Sequence, residues 1–495
     1  MTKPILIIVN DPAELPLRFE GCKLVSAREY LTERRYADMK GVKVFNLCRS
    51  YRYQSTGYYV SLLAAARGHK PIPNISTIQD LKSQSIIRIA SEDLEDRIQK
   101  SLSSIQSGTF VLSIYFGRNT ARCHDMLSHH LFRLFEVPFL RVFFYFHEKN
   151  RVWQIQKISP IAASDIPEEH RDFVLEAAKE FFTRKRRSAR KRAGFRFDLA
   201  ILYNPEEEEP PSDAKAIRKF MTAAESIGLE TELIEKEDLG RLAEFDALFI
   251  RETTNVMHHT YRFARKAEAE GIVAIDDPES ILKCTNKVFL AELLEIHRVL
   301  TPKTIIVHRD NVKKTGDTLG FPCILKRPDS SFSQGVIKIN NQEELVRSAG
   351  KMFDRSEFII AQEFLETPFD WRVGILDRQP LYVCKYYMAR KHWQIVKRDT
   401  GGAKIADGPS ETLPVEHAPS ALLSTALRAA NLIGNGFYGV DIKESDGKYY
   451  VIEINDNPSI DTGVEDAVLK NELYMRIMRT VLRRIEQKKQ GGYLS

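Results

Sequence analysis

The stretch GVDIKESDGKYYVIEINDNPSI covers residues 439–460, and its two apolar arms flank the dipeptide Asp446-Gly447. An Asp-Gly pair between two such arms predicts an antiparallel hairpin. Alternate residues of a strand point to one face, so Glu453 and Asn455 project together. Asp441 shares that face only if its pairing partner is odd-numbered, which requires an odd number of loop residues or a bulge. Three oxygen ligands would then converge, as Mg²⁺ bridging two phosphates requires. The alternative is a pair of carboxylates that face solvent.

Two lysines upstream stand at the ends of apolar segments. Lys287 opens a predicted apolar helix, and Lys326 follows the predicted strand FPCIL at 321–325. A buried ammonium group without a partner is costly, and a nucleotide phosphate is one candidate partner. A loop of small polar residues comes next, and its hydroxyl and backbone N–H groups suit phosphate oxygens. The residues of this loop that we assign to phosphate binding are Ser331, Ser333 and Gly335.

Another strand end carries polar and aromatic groups. The segment QEFL at 362–365 ends a predicted strand, as a hinge that offers backbone groups to a planar base would. Its candidate nucleotide contacts are Gln362, Glu363 and Phe364. Shortly afterwards Asp370 and Arg372 fall on one face of the next strand.

These elements, in this order and spacing, resemble the ATP-grasp superfamily, and within it the RimK-type amino-acid ligases. The resemblance covers about 200–485 and rests on seven ordered elements. Residues 196–275 resemble the pre-ATP-grasp domain. Residues 1–183, including NLCRSYRYQSTGYYVSLL at 46–63, resemble the RimK-like ATP-grasp N-terminal domain.

The resemblance implies an ATP-dependent carboxylate–amine ligase that works through an acyl phosphate. Its cofactors are ATP and one or two Mg²⁺ ions, with Mn²⁺ as an alternative. Lys287 and Lys326 contact phosphates, and Glu363 and Phe364 contact adenine. Asp370 lies on the ribose side, and Arg372 steadies the acyl phosphate. Arg372 and Lys326 are the implied catalytic residues. The implied metal ligands are Asp441, Glu453 and Asn455.

One segment departs from the RimK pattern. RimK-type ligases carry an Arg-Ser-Asn stretch before a Gly-Gly pair, and this chain has His392-Trp393-Gln394-Ile395 before Gly401-Gly402. The neighbouring basic residues suit an acidic substrate such as glutamate or a peptide carboxylate, or else form a solvated loop. Those residues are Arg390, Lys391, Lys397, Arg398 and Lys404.

The chain order predicts α/β and α+β domains. The segments are an N-terminal α/β domain (1–183), a basic linker (184–195), a small parallel α/β domain (196–275), an ATP-grasp domain with antiparallel sheets (276–486) and a tail (487–495). Ser212 is the predicted cap of a helix in the parallel unit. The predicted closing helix runs from Val464 to Glu486.

The composition is typical of a soluble globular protein. Of 495 residues, 43% are hydrophobic and 28% charged, which excludes collagen-like, disordered and coiled-coil chains. No apolar run approaches the roughly 20 residues of a spanning helix, so we expect no membrane. Six widely spaced cysteines without a Cys-x-x-Cys pair predict reduced thiols and the cytoplasm. The net charge of +6 is too small to indicate nucleic-acid binding by itself.

Three features leave alternatives open. The basic run 184–192 is typical of a solvated linker, or it docks RNA or the ribosome. The acidic run Glu206–Glu209 predicts an exposed loop, and His258-His259 predicts packed or surface histidines rather than metal ligands. The rival function is a non-catalytic nucleotide-binding or RNA-docking protein that keeps the fold. For the ligase, the amino acid is added to a small molecule, a peptide or a protein C-terminus, a ribosomal protein included. The oligomeric state is open, with a homo-oligomer among the alternatives.

Overall fold

A computed structural model of the chain describes residues 5–14, 17, 19, 21–39, 42–188, 195–329, 335–390, 393–398 and 404–491. Contacts within the chain group it into two compact units. The first comprises Met1–Phe195 and Glu235–Phe245, and the second comprises Arg196–Ile234 and Asp246–Ser495.

The first unit contains a parallel sheet and an antiparallel sheet. The strand order is β2-β1-β3-β4 in the parallel sheet and β5-β6-β7 in the antiparallel one. The strands are β1 (Ile5–Val9), β2 (Lys23–Ser26), β3 (Lys43–Asn46), β4 (Lys70–Ile72), β5 (Thr109–Tyr115), β6 (Phe139–His147) and β7 (Val152–Pro160). The helices are α1 (Ala27–Thr32), α2 (Arg34–Ala37), α3 (Thr56–Ala66), α4 (Ile75–Asp80), α5 (Gln84–Asp93), α6 (Glu95–Leu102), α7 (Asp125–Leu134) and α8 (Arg171–Ser188).

A short segment from later in the chain completes this unit. The 3-10 helix Lys236–Glu244 packs on α7, and Arg133 donates to Asp238 at 2.7 Å. Gly240 lies so close to α7 that a Cβ there would stand 2.0 Å from the carbonyl oxygen of Arg133. Only glycine fits this approach without a shift of the backbone.

The second unit begins with a four-stranded parallel sheet in the order β11-β10-β8-β9. Its elements are β8 (Phe197–Leu202), α9 (Ala214–Ser226), β9 (Leu229–Ile234), β10 (Ala247–Ile250), α10 (His259–Ala269) and β11 (Val273–Ile275). The cap of α9 is Asp213, whose carboxylate accepts from Ala216 N at 2.6 Å. The prediction of Ser212 is wrong by one residue, because the Ser212 hydroxyl instead accepts from the buried Arg251 guanidinium.

Two antiparallel sheets follow in the same unit. Their strand orders are β12-β15-β13-β14 and β20-β17-β16-β21-β22, and β18 pairs with β19 alone. The strands are β12 (Thr304–Val307), β13 (Cys323–Lys326), β14 (Val336–Ile339), β15 (Ile359–Glu363), β16 (Phe369–Leu376), β17 (Gln379–Tyr387), β18 (Val396–Arg398), β19 (Lys404–Asp407), β20 (Ser410–Leu413), β21 (Phe437–Ser445) and β22 (Lys448–Asn455). The helices are α11 (Pro278–Thr285), α12 (Lys287–Ile296), α13 (Val312–Leu319), α14 (Gln342–Met352), α15 (Ser420–Ile433) and α16 (Asn471–Gly491).

Helix α15 covers one face of the five-stranded sheet. Its side chains Leu422 and Ala426 are fully buried against sheet residues that include Val373, Val440 and Ile454. Burial of a side chain the size of Leu422 contributes about 1.5–3 kcal/mol. With one face closed by the helix, the polar residues of β16, β21 and β22 are left on the opposite face, where they line a cleft.

The structure corrects two predicted boundaries. Helix α8 continues to Ser188, so residues 184–188 of the predicted linker are helical, while 189–194 lie outside the described residues. The last helix begins at Asn471 rather than Val464 and continues to Gly491. Residues 464–470 form turns instead, since Glu465 and Asp466 accept hydrogen bonds from backbone N–H groups, which competes with helix formation. Among the described helices, none combines the length and the apolar run that crossing a bilayer requires.

Candidate active site

A cleft of about 780 Å³ in the second unit collects most of the predicted site residues. Its walls come from both antiparallel sheets and from loops that follow strands of the parallel sheet. The predicted residues that line it are Lys287, Lys326, Gln362, Glu363, Phe364, Asp370, Arg372, Asp441, Glu453 and Asn455. Ser331 and Ser333 lie outside the described residues.

The hairpin β21–β22 brings the three predicted metal ligands to one face. Asp441 lies opposite Glu453, and Asn455 lies opposite Gly439. The turn holds only two residues, Asp446 and Gly447, with φ of 50° and 69°, as a type I′ hairpin requires. The register therefore depends on a bulge between Asp441 and Ile442, where Ile452 of the partner strand is the extra residue. The bulge is one of the two solutions that the sequence allowed.

Arg372 lies on the neighbouring strand β16, directly opposite Asp441. Its Nε and Nη2 donate to the two oxygens of Asp441 at 2.7 and 2.9 Å, and Asn455 Nδ2 donates to Asp441 Oδ2 at 3.2 Å. Burial alone would lower the pKa of Arg372, but the Asp441 carboxylate raises it well above its usual value. The guanidinium is therefore a permanent positive charge in the cleft.

Lys287 forms the second ion pair of the cleft. It is the first residue of α12, which Asn286 caps, and its Nζ lies 2.7 Å from Glu453 Oε1. Burial pushes the pKa of Glu453 upward, but Lys287 and Lys326 act more strongly, so the net shift is downward. Glu453 is therefore a carboxylate at neutral pH.

Lys326 ends β13 and is buried, as its position after an apolar strand predicted. Its Nζ donates to Gln362 Oε1 at 2.8 Å, and Gln362 Nε2 donates to Thr304 Oγ1 at 3.0 Å. Burial lowers the pKa of Lys326 to about 8, with a further decrease from Lys287 and Lys443 and an opposing effect of Glu453. The side chain of Gln362 thus positions this ammonium group.

The site contains a fourth cation that the sequence reasoning missed. Lys443 lies two residues after Asp441 on β21, and its Nζ donates to Asp370 Oδ1 and, at 2.7 Å, to Thr367 Oγ1. Burial raises the pKa of Asp370, and Lys443 opposes that shift. The two-residue strand period that joined Glu453 to Asn455 would also have found Lys443.

At the predicted base-binding end of the cleft, an aromatic and a cationic side chain lie beside Phe364. Phe364 lies edge to face with Trp393 at 6.0 Å, and Lys338 Nζ stands 3.8 Å from the Phe364 ring centroid. The backbone N–H of Glu363 donates to Lys303 O at 2.8 Å within the sheet.

Gly335 was predicted to contact phosphate. It has φ of 73°, and a Cβ there would lie 2.3 Å from Arg327 Nε.

The predicted substrate loop is described in part. Arg390 is exposed, and Trp393, Gln394 and Ile395 contribute to the cleft. Lys391, His392 and the pair Gly401-Gly402 lie outside the described residues. Strands β18 and β19 carry Lys397, Arg398 and Lys404, and the structure describes the backbone but not the side chains there.

Two buried acids at another part of the cleft were not predicted. Glu465 accepts from the Tyr386 hydroxyl and from Asp461 N, the latter at 2.7 Å, and Tyr386 stacks beside the Arg372 guanidinium, 5.1 Å from Cζ to the ring centroid. Burial raises the pKa of Glu465 and of Asp456 to about 7. Neither carboxyl forms an ion pair with any residue that the structure describes. No local pattern marks Glu465, because its partner Tyr386 is 79 positions away.

The donor set suits the ion and the nucleotide that the resemblance implies. Two carboxylates and one amide oxygen are the ligands that Mg²⁺ prefers. Four cations, Lys287, Lys326, Arg372 and Lys443, face the same space, and phosphate oxygens are alternative partners for them. The residues present therefore fit a magnesium–nucleotide complex.

Two family models match the chain. The RimK-like ATPgrasp N-terminal domain matches residues 27–177, and an ATP-grasp domain matches residues 284–462.

Curated relatives match part of the chain. The alpha-aminoadipate–LysW ligase LysX of Sulfolobus acidocaldarius is 28% identical over 193 residues, which cover 37% of this chain and 65% of that protein. The coenzyme gamma-F420-2:alpha-L-glutamate ligase of Methanococcus maripaludis is 28% identical over 208 residues, 40% of this chain and 68% of that protein. A solved RimK domain ATP-grasp protein of Sphaerobacter thermophilus covers 58% of this chain and 99% of its own, with 14% identity and a TM-score of 0.44.

Proposed function

We propose that this protein, which carries a RimK-like ATP-grasp N-terminal domain and an ATP-grasp domain, is an ATP-dependent carboxylate–amine ligase. The observation that carries the proposal is the pair of matched contacts in the cleft, Asp441 with Arg372 and Glu453 with Lys287. Each carboxylate is held by a cation that a phosphate could take over. The carboxylates would then be available to Mg²⁺, so the same four side chains serve both partners.

The residues suit a reaction in two steps. A substrate carboxylate oxygen attacks the terminal phosphorus of ATP, the new O–P bond forms and ADP leaves. An amine then attacks the carbonyl carbon, the C–N bond forms, the C–O bond to phosphate breaks, and the amine proton passes to solvent. Lys287 and Lys326 hold phosphate oxygens, and Arg372 stabilises charge that develops on the acyl phosphate. Bound Mg²⁺, held by Asp441, Glu453 and Asn455, supplies charge neutralisation at the phosphates.

For the substrates we propose glutamate or a similar amino acid as the amine. The names of the relatives support this choice, since they include an alpha-L-glutamate ligase and a glutamate–LysW ligase. The carboxylate partner belongs to a small molecule, a peptide or a protein C-terminus, a ribosomal protein included. Arg390 and the basic residues of β18 and β19 lie in the segment that would meet an acidic substrate.

The deciding experiment is phosphate release from Mg-ATP by the full chain, with each proteinogenic amino acid singly and in pairs, followed by mass spectrometry. We expect a product whose mass equals two components minus water. Glu453→Gln should abolish it. Asp446→Asn, in the turn of the same hairpin and outside the cleft lining, should not. ATP binding without turnover in every mixture, protein and peptide carboxylates included, would favour the rival, a non-catalytic nucleotide-binding or RNA-docking protein.

Three finer points belong to the same proposal. We propose one or two metal ions per chain, which Mn²⁺ titration followed by electron paramagnetic resonance would count. We retain the division into an N-terminal domain, a pre-ATP-grasp domain and an ATP-grasp domain, which limited proteolysis would test. A homo-oligomer is the state that light scattering would check.

A further inference from the structure

Two sequence features that the ligase reaction does not use meet beside the parallel sheet. Strands β8 and β10 are parallel neighbours, with Leu202 opposite Ile250, so the loops that follow them lie at one edge. The first loop carries the acidic run, and the second leads to His258-His259. The carboxylate of Glu207 accepts from Thr253 N at 3.1 Å and joins the two loops.

Three side chains of the second loop form a compact donor group. One ligand atom each of Glu252, His258 and His259 lies within 4.8 Å of the other two. Glu252 is 2% exposed, and its Oε2 lies 2.5 Å from His259 Nε2. No other group of three histidine, cysteine or acidic side chains within the described ranges comes this close together.

The surroundings orient one of the imidazoles. His258 Nδ1 and Thr260 Oγ1 share a hydrogen bond at 3.2 Å. When Nδ1 is the donor in this bond, the lone pair of the imidazole is on Nε2. Metal-binding histidines commonly donate their second nitrogen to an oxygen in this way, which fixes the ring.

We propose that Glu252, His258 and His259 bind one divalent transition-metal ion, Zn²⁺ by preference. Two imidazole nitrogens and one carboxylate oxygen suit Zn²⁺, and three protein ligands leave a fourth position for water or another ligand. Thr253 and Thr254, within the same segment, line the cleft. The bound ion therefore stabilises a part of the cleft wall. Its site is separate from the proposed magnesium site, whose ligands are Asp441, Glu453 and Asn455.

The competing explanation is a histidine–carboxylate hydrogen bond that needs no metal. His259 and Glu252 satisfy each other in that case, and His258 has no share in the pair. The start of α10 opposes a cation because helix N-termini carry partial positive charge, and the Glu252 carboxylate offsets this. The two explanations differ in one respect that can be measured, which is whether His258 contributes to metal affinity.

The test uses full-length protein stripped with EDTA and titrated with Co²⁺, with excess Mg²⁺ present to occupy the oxygen-ligand site. We expect one Co²⁺ per chain, with the visible absorption of nitrogen-ligated cobalt, displaced by one equivalent of Zn²⁺. His258→Ala and His259→Ala should each weaken binding at least about tenfold. Because His258 is exposed, its replacement should leave the fold intact, as circular dichroism would verify.

Matched controls separate the site from adventitious binding. His308→Ala removes a histidine that pairs with Asp310 at 3.7 Å and has no second histidine beside it, and it should leave Co²⁺ binding unchanged. Glu207→Gln should weaken binding modestly, and Glu206→Gln in the same run should not. Absence of nitrogen-ligated Co²⁺ in the wild-type chain, or the same spectrum in the His258/His259 double alanine variant, would overturn the proposal.

Discussion

The cleft contains two glutamates whose environments act in opposite directions. Burial raises the pKa of both carboxyls, but Lys287 and Lys326 reverse the shift at Glu453, whereas Glu465 keeps a pKa of about 7. Glu453 has an ammonium partner at 2.7 Å, and Glu465 is held by a tyrosine hydroxyl and a backbone N–H. Pairing rather than burial alone therefore decides which end of the cleft carries fixed charge and which end can take up a proton.

The largest effect is expected when the ion pair between Asp441 and Arg372 is removed. Asp441→Asn removes a proposed metal ligand and leaves the largely buried Arg372 without its carboxylate. We expect turnover to fall at least about a hundredfold, and stability to fall by roughly 3 kcal/mol. Steady-state phosphate release and urea unfolding measure the two losses. Asp446→Asn is the control. Normal turnover of the Asp441→Asn variant would show that Asp441 is not part of the active site.

The other end is tested by the pH dependence of stability. The folded pKa of Glu465 is raised above its unfolded value, so its contribution to stability is full below about pH 4.5 and is lost as pH rises through about 7. Glu465→Gln cannot ionise. Relative to wild type it should gain stability with rising pH, by up to about 3 kcal/mol. Urea unfolding between pH 4.5 and pH 8 measures the difference, and parallel curves for the two proteins would contradict it.

A third test concerns the charge of Lys326. Burial lowers the pKa of this ammonium group to about 8, so above that pH the free protein increasingly lacks the charge. If ATP binds the protonated form, its affinity should fall about tenfold between pH 7 and pH 9. Lys326→Arg keeps the charge at all these pH values and should flatten the profile in calorimetric titrations. An equal slope in both proteins would show that Lys326 is not the titrating group.

The smallest effect is expected from the contact that joins the two ends. Tyr386→Phe removes the hydroxyl that donates to Glu465, which should cost about 1 kcal/mol of stability. Because that hydrogen bond lowers the pKa of Glu465, its loss should also move the pH-sensitive window upward. Tyr387→Phe, which changes a partly exposed residue bonded to Glu411 at 2.9 Å, should leave the window in place.

Much of the fold and of the candidate site could be predicted from local sequence patterns. The two domain matches confirm the RimK-like and ATP-grasp assignment, and the hairpin register follows from the strand period together with one bulge. Strand ends such as Lys326 follow from apolar runs bounded by polar residues. These features depend on residues a few positions apart, which is where the sequence alone is informative.

The missed features depend on distant residues. Glu465 reaches Tyr386 across 79 positions, and Glu207 reaches Thr253 across 46. Residues 464–470, predicted from the sequence as part of the closing helix, form turns in which side chains accept backbone hydrogen bonds. The position of Glu252 beside His258-His259 depends on the turn after β10, which local patterns do not predict.

The origin of residues 235–245 has a consequence for synthesis. The N-terminal unit takes these residues from the middle of the chain, including Asp238 and the closely packed Gly240. At translation rates of about 5–20 residues per second, the fifty residues after Phe195 take roughly 3 to 10 seconds to emerge. During that interval the nascent N-terminal unit lacks residues 235–245, and the surface of α7 that they cover is left uncovered. A gene fragment that ends at Phe195 would make this unfinished state permanent.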